Sequence, residues 1–232
     1  MKAFVVGFPK AGTTTINDSL ASSGFNTVHW TYGRDYIGEM IYRNYYQGLD
    51  PLAGFQEIDA ITQADVCMPA LELNYWPNLD FTILDSIRRN HSECLFILNW
   101  RDPSLTASSI RRWSDLQDRI IMSDIPGLPR GYGKTQDELV RWIEGHHKAV
   151  RRFFRGSNFL EVDISSADAP RKLGDALNLE IMWWGQANIN CDGDGGPLPP
   201  DAVHPPNTAT RVEDARPGHS KSPFWAAFPW VW

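Results

Sequence analysis

The stretch that decides the fold is AFVVGFPKAGTTTINDSL, residues 3–20. Residues 3–8 are apolar and partly β-branched, which predicts a strand. Gly7-Phe8-Pro9-Lys10-Ala11-Gly12 then interrupts the run, and Thr13 and Thr14 open a segment in which Ile16 and Leu20 lie four apart. That is the spacing of a helical face, and Gly24 supplies its stop. A strand, a glycine-bearing turn and a helix start make a layout suited to holding phosphate. The first amides of a helix have no intrahelical partner, and the helix dipole favours an anion beside them. The N–H groups of residues 11–14 are therefore expected to form an anion cradle, with the threonine hydroxyls as further donors.

The lysine of this loop is displaced. In the nucleotidase pattern G-x-x-x-x-G-K-[ST] the lysine follows the second glycine. Here Gly7 and Gly12 keep the spacing and Thr14 keeps the hydroxyl position, but Thr13 replaces the lysine and Lys10 sits inside the loop. Lys10 should project from the outer arc, toward the group leaving a bound phosphate. Metal-dependent phosphotransferases also place an Asp at the end of a later strand to hold Mg²⁺. The strand expected at 94–100 ends in Trp100 and is followed by Arg101, a cation. Asp102 comes directly before Pro103 and reads as a turn or helix-start residue. Cations alone are thus expected to stabilise the transferred group, with no metal.

Working outward, strands are predicted at 3–8, 26–30, 57–62, 94–100 and 158–164. Helices are predicted at 13–23, 34–47, 81–90, 103–121, 134–154 and 167–177. Strands alternating with helices imply an α/β fold with a mostly parallel sheet covered on both faces. Composition shifts after about residue 190, where Pro and Gly become frequent and Trp225, Trp230 and Trp232 close the chain. The expected organisation is one domain over 1–190 and an irregular Pro/Gly/Trp-rich tail over 191–232 packed on it. Asn190, Asp192, Asp194, Gly195 and Asp201 fit the polar positions of a calcium loop, but Pro197 and the lack of flanking helices favour a plain turn.

The 232 residues carry 42% hydrophobic and 22% charged side chains and a net charge of −6. This balance argues against a general binder of nucleic acid or anionic membrane, so any anionic ligand must be held by a few well-placed cations. Cys67, Cys94 and Cys191 are odd in number and widely spaced, which suggests neither a disulfide framework nor a zinc site. The apolar start is too short for a signal peptide, and no segment approaches the length of a membrane helix. The expectation is a soluble, cytoplasmic protein.

With the loop and Arg101 in view, the sequence resembles the PAPS-dependent sulfotransferases (PAPS is 3′-phosphoadenosine 5′-phosphosulfate). PKAGTT at 9–14 is similar to the family's phosphate loop, P-K-[ST]-G-T-[TS], with Ala11 in place of Ser or Thr. RDPSLTASS at 101–109 matches a second signature, an Arg at a strand end, then Asp-Pro, with a Ser eight positions after the Arg. The resemblance runs from residue 1 to about 190 and includes GFNTVHW at 24–30 and WIEGHHKAVRRFF at 142–154, as in small bacterial members. It implies a P-loop three-layer sandwich with a five-stranded parallel sheet and helices on both faces. It also implies transfer of a sulfuryl group from PAPS, with PAP as product, to a small-molecule acceptor. Pro9, Lys10, Ala11, Gly12, Thr13 and Thr14 would hold the 5′-phosphosulfate, and Arg101 and Ser109 the 3′-phosphate. Thr15 departs from the Trp that stacks on adenine in the animal cytosolic enzymes, so that contact must come from elsewhere.

A base must take the acceptor's proton. His29 closes the second predicted strand, where open α/β sheets present their ligand crevice, and an imidazole titrates near neutral pH. Asp65, after the third strand, is the alternative base or a group that orients the imidazole; an exposed Asp, with a pKa of about 3.9, is a poor base for a hydroxyl. His146 and His147 are adjacent on a helix and point apart. Arg111 and Arg112 follow Ser109 on its helix and read first as exposed surface arginines, with contact of one of them to a phosphate as the alternative. Tyr36, Met40, Tyr42, Tyr45 and Tyr46 read equally as core or as the wall of an apolar acceptor pocket. Two other readings stand beside this one: a small-molecule kinase using ATP and Mg²⁺, and a degenerate phosphate-loop domain that only binds a partner.

Overall fold

The computed structural model describes residues 1–185 and residue 187. In chain order, β1 (Ala3–Val5) leads to α1 (Thr13–Ser22), β2 (Thr27–His29), β3 (Thr31–Tyr32), β4 (Asp35–Tyr36) and α2 (Ile37–Tyr46). Next come β5 (Ala60–Gln63), β6 (Val66–Met68), β7 (Leu73–Tyr75) and α3 (Phe81–Asn90). The remainder is β8 (Leu95–Trp100), α4 (Pro103–Arg112), α5 (Leu116–Ile121), α6 (Gln136–Phe153), β9 (Phe159–Asp163) and α7 (Ala169–Leu177).

The sheet order is β4-β3-β2-β5-β1-β8-β9, and the run β2-β5-β1-β8-β9 is parallel throughout. These are the five predicted strands. Side chains alternate across a strand, and the two faces divide accordingly. Ala3, Val5, Leu95 and Ile97 pack with Ile16 and Leu20 of α1 and Leu173 of α7. Phe4, Val6, Phe96 and Leu98 pack on the opposite face with α2, α3 and α6 through Ile37, Ile41, Ile83, Leu84 and Val150. The fold is a three-layer α/β sandwich.

Three predicted boundaries move. Residues 31–36 form two short antiparallel strands on the sheet edge, turned at Gly33 with φ 63°, so α2 begins at Ile37 and not at 34. A β6–β7 hairpin follows β5 where no strand was predicted. The helix predicted over 103–121 is two helices, because Trp113 is extended (ψ 95°) and Ser114 is left-handed (φ 46°). Periodicity runs through that break, since Ile110, Trp113, Leu116 and Ile120, three or four apart, all pack in one cluster. The start at Asp102 behaves as read, and α6 opens on a cap of its own. Asp102 accepts from the amides of Ser104 and Leu105 with Pro103 in the first turn, and Thr135 and Glu138 form a capping box on α6. The tail at 191–232, its tryptophans and the calcium-like loop lie outside the described residues. Among the described residues no helix is long and apolar enough to cross a membrane.

Candidate active site

The carboxyl ends of the parallel strands open on a pocket of about 860 Å³, and the glycine loop forms its floor. The loop is tied down from behind by its carbonyls. Asn99 Nδ2 donates to the carbonyls of Phe8 (3.1 Å) and Ala11 (2.9 Å), Asn78 Nδ2 to that of Gly7 (2.8 Å), and Arg101 Nη1 to that of Lys10 (2.9 Å). In a planar trans peptide the N–H points opposite to the C=O. Anchoring the carbonyls of Lys10 and Ala11 therefore turns the amides of Ala11 and Gly12 away from the anchors. Both glycines are dictated by space. A Cβ on Gly7 would stand 2.0 Å from Asn99 Oδ1, and one on Gly12 (φ 81°) would stand 2.7 Å from Ile164 Cδ1. Gly12 is the N-cap of α1 and has no side chain with which to cap the first turn.

Lys10 is held left-handed at φ 64°, and its Nζ lies 3.1 Å from the centroid of the Trp113 ring. The helix break at 113–114 is what brings that indole over the loop. Partial burial and the nearby Arg101 lower the Lys10 pKa to about 8. Arg101 and the buried Ser109 line the same pocket, with Arg112 close enough to oppose the Arg101 charge. Pro9, Gly12, Thr13 and Thr14 also line it. Ala11 does not; its side chain is buried in the cluster with Phe8, Ala107 and Ile110, so only its backbone is available. The Thr13 hydroxyl donates to Gln63 Oε1 (3.1 Å), which corrects the expectation that it is a donor into the cradle.

His29 and Asp65 stand on the other side of the loop and line the same pocket. The Thr62 hydroxyl has one proton, and it lies 3.1 Å from two acceptors, Asn17 Oδ1 and the Val28 carbonyl. It must therefore accept from His29 Nδ1–H (2.9 Å), which leaves the lone pair on Nε2. Burial pushes the His29 pKa down to about 4. Asp65 is not the exposed carboxylate that the sequence suggested: it is 5% exposed. The β6–β7 hairpin begins directly after it, and burial pushes its pKa up to about 7. Gln63 Nε2 donates to Asp65 Oδ2 (3.2 Å), while the buried Oδ1 has no hydrogen-bond partner among the described residues.

Several lining residues were not singled out from sequence: Trp30, Gln63, Met68, Trp113, Arg119 and Trp184. Trp184 arrives because the Thr15 hydroxyl donates to the Gly185 carbonyl (3.0 Å) and sews that segment to α1. Of the tyrosine cluster none lines the pocket; Tyr36 backs it, with its ring against Trp30 and its hydroxyl donating to Met68 Sδ (3.9 Å), and Tyr46 is 79% exposed. His146 and His147 are both buried beneath the loop against Phe8. No family model matches the chain, and no curated protein matches it.

Proposed function

We propose that the chain is a sulfotransferase that uses PAPS and a small-molecule acceptor bearing a hydroxyl or amine. The observation that carries this reading is the placing of Lys10. It lines one pocket with Arg101 and Ser109, while Thr13 occupies the position of a nucleotidase lysine. The donor set suits a nucleotide with phosphates at both ends. The loop amides and Lys10 would hold the 5′-phosphosulfate, and Arg101 and Ser109 the 3′-phosphate. Trp184, drawn in by Thr15, offers the aromatic face for adenine that position 15 itself lacks. PAPS supplies a sulfuryl group whose S–O bond to phosphate is exchanged for one to the acceptor, leaving PAP and a proton.

The chain's own part is to place charge and take that proton. Lys10, protonated, sets a positive charge at the loop where the departing phosphate oxygen gains negative charge. Asp65 takes the acceptor proton. Its pKa near 7 is matched to neutral pH, whereas His29, near 4, is neutral but weakly basic. This reverses the order expected from sequence and leaves His29, anchored on Thr62, to orient the acceptor. Cys67 and Cys94, free and buried, fit a reducing, cytoplasmic setting.

A magnesium-dependent kinase reading has one observation in its favour: Asp65, the sole carboxylate among the described lining residues, stands beside the loop. A thermal-shift panel of PAP, AMP, ADP and ATP, with and without Mg²⁺, separates the readings. A ligand at 100 times its Kd stabilises by about 2.7 kcal/mol, a readable shift. PAP should stabilise most, without Mg²⁺. A larger, Mg²⁺-dependent effect of ATP supports the kinase, and no shift with any nucleotide supports a binding module.

A further inference from the structure

We propose that the β2–β5 half of the pocket is a subsite for an aromatic hydroxy acid, whose hydroxyl meets Asp65 and whose acid group pairs with Arg119. The proposal rests on the donor reading above, which assigns the opposite half to the nucleotide. Sheet order makes the division. β1 feeds the loop from the middle of the parallel strands, β8 and β9 bring Arg101 and Ile164 on one side, and β2 and β5 bring Trp30 and Asp65 on the other.

Among the described residues four cations line the pocket: Lys10, Arg101, Arg112 and Arg119. The first three form one group, since Lys10 feels Arg101 and Arg101 feels Arg112. Arg119 belongs elsewhere. It rises from α5 and its Nη1 donates to the carbonyl of Cys67 in β6 (2.8 Å), directly beyond Asp65 in sequence. That is the guanidinium's one hydrogen bond among the described residues. Its Nε lies 2.9 Å from Asp115 Oδ1, yet that shielded atom makes no hydrogen bond, because the carboxylate sits off the N–H axis. Asp115 is itself 63% exposed, and such a surface pairing is worth little. Nη1 and Nη2 carry four N–H groups, of which the Cys67 bond takes one, and a planar fork of this kind on a pocket lining is a recognition element for a carboxylate.

Two independent observations ask for the rest of the ligand. Asp65 lines this half of the pocket, and among the described residues Gln63 is the one side chain that donates to its carboxyl, which leaves acceptor capacity for a ligand hydroxyl. Trp30, 38% exposed at the pocket, is held at φ 67°, a conformation that bulky L-residues avoid. Strain retained in an exposed indole marks a residue whose position matters, and its ring, with Met68 nearby on the lining, offers a flat apolar wall.

The test is calorimetric binding to the full chain, with and without saturating PAP. The probes are 4-hydroxybenzoate, 4-hydroxyphenylacetate and 3-(4-hydroxyphenyl)propanoate, each against its methyl ester. At least one acid should bind tighter than its ester by on the order of tenfold or more, the effect of a charge-assisted pair. Arg119→Gln should erase that preference while keeping the PAP-induced thermal shift, which also reports that the variant is folded. Equal binding of acids and esters, or no binding by any acid, overturns the subsite. Should Arg119→Gln not fold, the wild-type comparison still decides. Absence of PAP binding sinks the donor reading instead, and acid preference measured without PAP judges the subsite separately.

Discussion

Titrating Lys10 gives a quantitative test of the anion cradle. Its pKa is lowered to about 8 from an ordinary 10.5, because the ammonium is partly buried and faces Arg101. A bound phosphate supplies the missing counter-charge and raises that pKa again. Above pH 8, then, binding must take up a proton, and affinity falls as pH rises. At a free pKa of 8, Lys10 is roughly nine-tenths protonated at pH 7 and one-tenth at pH 9, so PAP affinity should drop about tenfold across that interval. A lysine at its ordinary value would give almost no change. The ligand does not interfere, since phosphate monoesters complete their second ionisation near pH 6. The assay is isothermal titration of PAP at constant ionic strength, in two buffers of different ionisation enthalpy so that proton uptake is read directly. Lys10→Met should bind PAP more weakly and lose the pH dependence. An affinity that stays level from pH 7 to 9, or a slope that survives in Lys10→Met, would refute the assignment of Lys10 to the anion.

The remaining expectations concern single residues. Asp65→Asn should lower turnover by about 10²–10⁴ with PAP affinity nearly unchanged, and His29→Ala should cost less; the opposite ranking in a transfer assay returns the base to His29. The same Asp65→Asn should raise stability at pH 8: a carboxylate whose folded pKa is raised to about 7 binds more protons folded than unfolded between about 4 and 7, so wild-type stability falls with rising pH there. Urea titrations at pH 5 and 8 read this, and an equal or lower midpoint for the variant at pH 8 contradicts it. Gly12→Ala, at φ 81° with its Cβ 2.7 Å from Ile164, should destabilise by about 1–3 kcal/mol and abolish the PAP shift, read by melting temperature. Arg101→Ala should weaken PAP far more than AMP; equal losses remove the 3′-phosphate assignment.

What was legible in the sequence is local. The Gly7–Gly12 spacing, the displaced Lys10 and the Arg101–Pro103 turn with its N-cap are fixed by a few consecutive residues whose backbone demands are specific. The five parallel strands follow from apolar runs alternating with helices. What escaped is whatever long-range contact decides. Trp113 reaches Lys10 only because Ser114 breaks a helix through which the apolar period continues. Thr13 looks like a cradle donor until Gln63, fifty residues on, takes its proton. Asp65 reads as an exposed carboxylate after the third strand, and nothing in its neighbours announces that the following hairpin will bury it. Arg119 is one cation among many until its bond to Cys67 sets it at the pocket.

Cost and function meet in this pocket. Lys10 and Trp30 hold left-handed backbone that L-residues avoid at about 1 kcal/mol or more each, and Asp65 leaves a buried oxygen unsatisfied. None of these features helps the sandwich to fold, since its two apolar layers close around β1 and β8 without them. The anchoring that keeps them is instead dense: Asn78, Asn99 and Arg101 clamp the loop, Thr62 fixes His29, and Gln63 joins Thr13 to Asp65. Clamps of this kind stabilise one arrangement of charges in advance of a ligand, which is the condition under which a lone lysine and a lone carboxylate act strongly in a partly dry site. The same reasoning explains why the lysine pKa falls while the aspartate pKa rises. Burial acts on both, Arg101 adds to the effect on the lysine, and among the described residues no opposite charge relieves either, so each is poised for a partner that the other does not supply.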